Sequence, residues 1–115
     1  MTEKFKVIFL EEADDFLNGL DPKSKEKIIY NIRKAQVINN NELFKKLNGE
    51  TWEFRTLHNK SYYRLFAFWD KTEKNPSVVV STHGLVKKTD KIPQEDLDKA
   101  DRIRKIYYEQ KTKKK

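Results

Sequence analysis

The sequence predicts an α+β fold: a twisted, mainly antiparallel sheet with a helical hairpin on one face and a C-terminal helix, in the order β-α-α-β-β-β-α. Three observations carry that expectation. Between residues 11 and 39 apolar side chains recur at spacings of three and four, the period of a helix with one buried face. Beyond Gly49 the pattern changes to β-branched and aromatic runs separated by short polar turns. After Pro93 the helical period returns. At 115 residues the chain makes one domain with a single modest core.

Phe5 to Leu10 has the composition of a strand and runs without a turn residue into Glu11. Ala13, Phe16, Leu17 and Leu20 then form one helical stripe, and Glu11, Glu12, Asp14 and Asp15 favour the positive end of that helix dipole. Gly19 ends the helix, Asp21 caps the next and Pro22 fits its first position. The second helix turns Ile28, Ile29, Ile32 and Ala35 inward and stops near Asn39-Asn40-Asn41. Leu43, Phe44 and Leu47 form a last apolar cluster before the turn Asn48-Gly49.

Trp52 to Leu57 alternates, with Trp52, Phe54 and Thr56 on one face and Glu53, Arg55 and Leu57 on the other. His58 to Ser61 is a loop of hairpin length. Tyr62 to Asp70 is apolar on both faces except at Arg64, so it reads as a central strand covered on both sides. Lys71 to Ser77, with Asn75-Pro76, turns into a second buried strand, Val78 to Val86, apolar on both faces until His83. Pro93 opens the final helix, with Leu97, Ala100, Ile103 and Tyr107 as its stripe. Residues 1–110 are expected to form the domain and residues 111–115 a basic, frayed tail.

Composition narrows the function. The absence of cysteine removes disulfides, thiol catalysis and Cys-based zinc sites. With only two histidines, His58 and His83, no metal site and no cofactor are expected. The N-terminal apolar run is too short for a signal peptide or a membrane span, so a cytoplasmic protein without membrane contact is the expectation. The net charge of +7 is unevenly spread: residues 1–21 carry six acidic and two basic side chains, residues 99–115 eight basic and two acidic. A basic surface of this kind suits a polyanion or an acidic partner protein.

The densest chemistry lies between Ser81 and Pro93, where His83, Lys87, Lys88 and Lys91 crowd the exit of a buried strand. Arg55 and Arg64 sit on the two preceding strands, and on a twisted antiparallel sheet such neighbours can converge on one patch. Converging cations stabilise the charge that builds on phosphorus during metal-independent RNA scission. That reaction needs a base for the 2′-hydroxyl and an acid for the leaving 5′-oxygen, and His83 has the ordinary proton affinity for either role. Structural alternatives stand beside this reading. Arg55 can pair with Glu53 or Glu50, Arg64 can be satisfied by Asp70 or a backbone carbonyl, and His83 can be a hydrogen-bonded strand residue.

Taken together, Leu47-Asn48-Gly49, Trp52-Glu53-Phe54-Arg55, Tyr63-Arg64-Leu65-Phe66, His83-Gly84-Leu85-Val86-Lys87-Lys88-Thr89 and Pro93 resemble the RelE/HigB superfamily of bacterial toxins, closest to its phage-derived, HigB-like branch. Leu85 departs from the phenylalanine usual in that branch. The resemblance implies a RelE/ParE-like fold and the toxin of a type II toxin–antitoxin pair, a metal-independent, ribosome-dependent mRNA endonuclease leaving a cyclic phosphate end. In the family pattern Arg64 and basic residues on neighbouring strands bind the phosphate, Arg55 is a second such position, and Lys87 and Lys88 match the lysine pair. No single acid–base pair carries over, and Tyr107 or Tyr108 stands only loosely in the place of a C-terminal tyrosine that acts in some members. Residue chemistry and resemblance together give Arg64, Lys87 and His83 as catalytic candidates and Arg55, Arg64, Lys88 and Lys91 as phosphate binders. The implied partners are the ribosome, mRNA and a cognate antitoxin of helix-turn-helix type. A ParE-like inhibitor of DNA gyrase and a catalytically inactive binding module share the fold and remain alternatives.

Overall fold

The computed structural model of the chain describes residues 2–113. Its elements are β1 (Lys6–Phe9), α1 (Glu11–Asn18), α2 (Pro22–Val37), β2 (Phe44–Asn48), β3 (Thr51–His58), β4 (Ser61–Trp69), β5 (Val78–Lys87) and α3 (Gln94–Lys113). The strands form one sheet in the order β1-β5-β4-β3-β2, with β1 parallel to β5 and the other pairs antiparallel. The expected α+β architecture is present, with one strand more than the sequence pattern suggested.

That strand is β2, which pairs with β3 and sets Phe44 opposite Phe54. Its sequence, Phe-Lys-Lys-Leu-Asn, is polar because it lies at the sheet edge, where lysines also discourage pairing with another chain. Phe44 still enters the core and stacks on Phe54 with ring centroids 4.4 Å apart.

The hairpin α1–α2 forms as the sequence dictates. Asp21 caps α2 by accepting from Ser24 N at 3.1 Å and Ser24 Oγ at 2.7 Å, with Pro22 at the first helical position. Such a cap contributes about 1 kcal/mol. Strand periodicity then divides the sheet into two faces. Phe54, Leu65, Ala67 and Val79 join Ala13, Leu17, Ile28 and Ile32 in the core beneath the hairpin. Glu53, Arg55, Arg64, Phe66, Phe68 and His83 fall on the opposite face, where Phe68 meets Tyr107 and His83 meets Asp96 of α3. On the hairpin side Phe16 lies directly over Gly84, so a side chain at that position would overlap the ring.

Two ends of this scaffold differ from expectation. The β3–β4 loop is only Asn59 and Lys60, both left-handed (φ 50° and 64°), between the paired residues His58 and Ser61, the geometry of a two-residue hairpin. The C-terminal helix continues to Lys113, and Lys111 Nζ donates to Asp70 Oδ2 at 2.6 Å, so the fraying expected from Lys111 onward does not begin there. Lys114 and Lys115, also placed in the tail, lie outside the described residues. No helix among the described residues is long and apolar enough to cross a membrane.

Candidate functional site

The site is built from a cross-strand pair of like charges. Arg55 on β3 stands directly opposite Arg64 on β4. Two guanidinium groups in that register repel unless anions lie between them. Glu53, two residues before Arg55 and therefore on the same face, is fully enclosed (0% exposed) and accepts from Arg64 Nη1. Asp90, from the loop after β5, supplies the second carboxylate: its Oδ1 accepts from Arg64 Nη2 and, at 3.0 Å, from Arg55 Nη2. The Asp90 backbone carbonyl accepts a further bond from Arg64 Nη2 at 2.9 Å.

The two counter-ions differ in kind. Arg64 and Glu53 are both buried, whereas the Asp90 side chain is 61% exposed. The Arg64 bond, with Arg55 adding to it, holds the Asp90 carboxyl below the usual carboxylate range. Hydrogen bonding is incomplete even so, since Arg55 Nε, Arg64 Nε and Glu53 Oε2 are buried without partners. The Arg64 guanidinium also lies 5.6 Å from the centre of the Tyr62 ring. A depression of about 370 Å³, lined in part by Asn31, Leu43, Leu57 and Tyr62, opens beside Arg55.

The structure therefore brings Arg55 and Arg64 together. Lys87 joins them on the same face, exposed and opposite Tyr62 on β4. Lys88 and Lys91 are exposed on the loop that carries Asp90. Of the alternatives for Arg64, a backbone carbonyl is used, but it is that of Asp90, and Asp70 is engaged elsewhere. Arg55 Nε forms an ion pair with Glu53 Oε2 at 3.9 Å, too long for a hydrogen bond, while Glu50 pairs with Lys71.

His83 is not at this surface. It is 3% exposed, stacked on Phe66 with ring centroids 4.8 Å apart, its Nδ1 3.0 Å from Thr82 Oγ1 and its Nε2 3.2 Å from Asp96 Oδ1. Burial pushes its pKa below the ordinary value despite the opposing effect of Asp96, so the ring is neutral near pH 7. A carboxylate only accepts, so the neutral ring donates from Nε2 to Asp96 and receives the Thr82 hydroxyl proton at Nδ1. The arrangement is that of the structural alternative, a hydrogen-bonded strand residue, with Asp96 in the first turn of α3 as one partner.

The C-terminal tyrosines are also elsewhere. Tyr107 Oη donates to Asp70 at 2.5 Å and Tyr108 Oη to Trp69 O at 3.1 Å. Those acceptors lie six residues along β4 from Arg64, or nearer, a run of up to ~20 Å in a strand. Two site residues escaped the sequence reading in their present roles. Glu53 carried a signal, being the one acid on the Arg55 face of the facing strand when a buried Arg64 demanded a counter-ion. Asp90 carried none, because a loop aspartate among lysines has the pattern of ordinary solvated surface.

A family model described as phage-derived protein Gp49-like (DUF891) matches residues 15–105, which include every residue of this cluster. The chain belongs to the Gp49-like family. Among solved structures, this Gp49-like chain is similar to the toxin–antitoxin complex RelBE2 from Mycobacterium tuberculosis. The TM-score is 0.58 at 17% identity, over 77% of this chain and 98% of that one, a likeness of fold. No curated protein matches the chain.

Proposed function

We propose that this Gp49-like protein is the toxin of a toxin–antitoxin pair, of the HigB-like branch, and that it cleaves mRNA in the ribosome without a metal. The observation that carries the reading is the Arg55–Arg64 pair, two guanidinium groups aimed at one oxygen of an exposed carboxylate beside an open depression. Guanidinium forks match phosphate geometry, and a partly dry site raises their hold on developing charge. The fold shared with the RelBE2 complex supports the toxin assignment.

In this reading the 2′-oxygen attacks the adjacent phosphorus, the bond to the 5′-oxygen breaks, and a cyclic phosphate and a 5′-hydroxyl result. Arg55 and Arg64 hold the non-bridging oxygens, and Lys87, on the same face of the sheet, protonates the leaving 5′-oxygen in this reading. Lys88 and Lys91 bind flanking phosphates. The 2′-hydroxyl proton passes to solvent water, or to His83 where the first turn of α3 lifts from it. Exposed apolar residues, Ile8, Val86 and Ile106 among them, are where an antitoxin of helix-turn-helix type would cover the fold.

Primer extension on a message translated with added protein tests this. New ends within codons are expected, lost in Arg55→Gln with Lys87→Ala, two side chains that are not fully buried. Absence of cuts, or cuts undiminished in that double variant, overturns the mechanism. His83→Gln separates the histidine's roles, since an acid or base leaves a changed pH profile and a structural residue does not. The enclosure of His83 favours one second reading, a gyrase inhibitor, which needs no proton-transfer group. Inhibited supercoiling with intact RNA would select it.

A further inference from the structure

We infer that Asp90 is a built-in stand-in for a phosphate, which closes the Arg55–Arg64 site when no nucleic acid is bound and is displaced when an RNA phosphodiester enters. This rests on the reading of the arginine pair as a phosphate site. Three observations carry it. First, the carboxylate takes the position an anionic ligand needs, one oxygen shared by guanidinium groups from two strands. Its side chain is nevertheless 61% exposed, so it can leave into water, whereas the enclosed Glu53 cannot.

Second, Asp90 is the tether of its loop. Residues 88–92 lie between β5 and α3 without regular structure, and the hydrogen bonds described for them run from Arg64 and Arg55 to Asp90. Releasing that side chain leaves this part of the loop held by the Asp90 carbonyl and by the half-buried Ile92, and so loosens Lys88 and Lys91 together, on the segment that joins Lys87 to the helix. Third, Arg55 Nε and Arg64 Nε remain without hydrogen-bond acceptors even with Glu53 and Asp90 both facing the pair, so the two carboxylates do not saturate it. A phosphodiester brings two non-bridging oxygens and ester oxygens to the same place, more acceptors than Asp90 Oδ1 supplies.

A site held closed nine times in ten binds its ligand about tenfold more weakly than the open site. The test is fluorescence anisotropy of a short labelled single-stranded oligoribonucleotide with the full chain, in wild type, Asp90→Asn, Arg55→Gln and the double variant. Asparagine keeps the size of Asp90 and its backbone carbonyl while removing the charge, and Glu53 still pairs with Arg64. Thermal melts of each variant accompany the titrations. Asp90→Asn is expected to bind about tenfold more tightly. Arg55→Gln should weaken binding and abolish most of that gain in the double variant. Amide spectra supply the second measurement: RNA should shift Lys88 to Lys91 in wild type toward the positions they already hold in Asp90→Asn. If Asp90→Asn binds no more tightly while Arg55→Gln still weakens binding, the phosphate site stands and the stand-in role falls. If Arg55→Gln changes nothing in either background, the phosphate reading fails and takes this inference with it.

Discussion

The two ends of β4 each hold a buried charge tied to the C-terminal part of the chain, and they do so in opposite ways. Just past its end, Asp70 receives Lys111 Nζ at 2.6 Å, Tyr107 Oη at 2.5 Å and Thr72 Oγ1 at 2.7 Å. Burial pushes its pKa up, but those donors outweigh it and leave the carboxyl far below its usual range. Two of the three donors come from α3, whose other contacts fix them. Toward its start, Arg64 is met from the sheet by Glu53 and from an irregular loop by Asp90. A charge satisfied by a helix serves as a fastener; a charge satisfied by an exposed loop carboxylate is available for exchange. The difference lies in what holds the counter-ion, not in the charge itself.

Breaking the buried half of the open end should have the largest effect. Arg64→Met leaves Glu53 enclosed without its hydrogen-bonded cation, with Lys45 and Arg55 only at 3.9 Å, and the expected loss is about 3 kcal/mol, read as a lower urea midpoint. Adding Glu53→Leu should restore most of it, because replacing a buried pair by apolar residues is often neutral. A double variant as unstable as the single one would show that the pair organises the fold beyond its own charges. At the closed end, Asp70→Ala leaves the Tyr107 hydroxyl and Lys111 without their acceptor and should cost about 1–3 kcal/mol. Amide exchange should then accelerate in the last turns of α3 and not in β3. Because the folded pKa of Asp70 is depressed, its contribution is full above about pH 4 and is lost as pH falls further toward the folded value.

The comparison also explains what could be read in advance. Helix starts at Asp21 and Pro93 and the alternation of Trp52 to Leu57 are local properties, and local rules suffice for them. The edge strand Phe44–Asn48 was hidden because only Phe44 is fully buried, too little apolar periodicity to register. Arg55 and Arg64 were legible as a convergent pair because hairpin register follows from loop length. Their counter-ions were less so: Asp90 lies 26 residues from Arg64, and its placement depends on how the loop returns across the sheet. For His83 the sequence left two readings open, because it shows residue type and strand but not that Asp96 of α3 meets the ring.

That enclosed histidine gives a smaller, pH-dependent effect. A histidine whose folded pKa lies below its unfolded value of about 6.5 stabilises fully above that pH and loses the contribution as pH falls through the folded value. Melting temperature should therefore decline between about pH 7 and pH 5 in wild type, and the slope should flatten in His83→Gln whatever its absolute stability. An unchanged slope would mean that His83 charges as readily in the folded chain as in the unfolded one.

The smallest expected effect lies at the turn that feeds the open end. Asn59 and Lys60 both adopt positive φ, and asparagine tolerates that conformation far better than lysine. The favoured pair for such a two-residue hairpin is Asn-Gly, so Lys60→Gly supplies the missing half. Relief of the left-handed strain is worth about 1 kcal/mol, partly offset by the greater freedom glycine gives the unfolded chain. The urea midpoint should rise slightly with an unchanged slope, and the Arg55–Arg64 register should hold, since pairing from Trp52 to His58 fixes it. RNA affinity in Lys60→Gly should then match wild type. A loss of affinity with a gain in stability would add Lys60 to the cations proposed to bind phosphate and extend the exchangeable end of β4 to its hairpin.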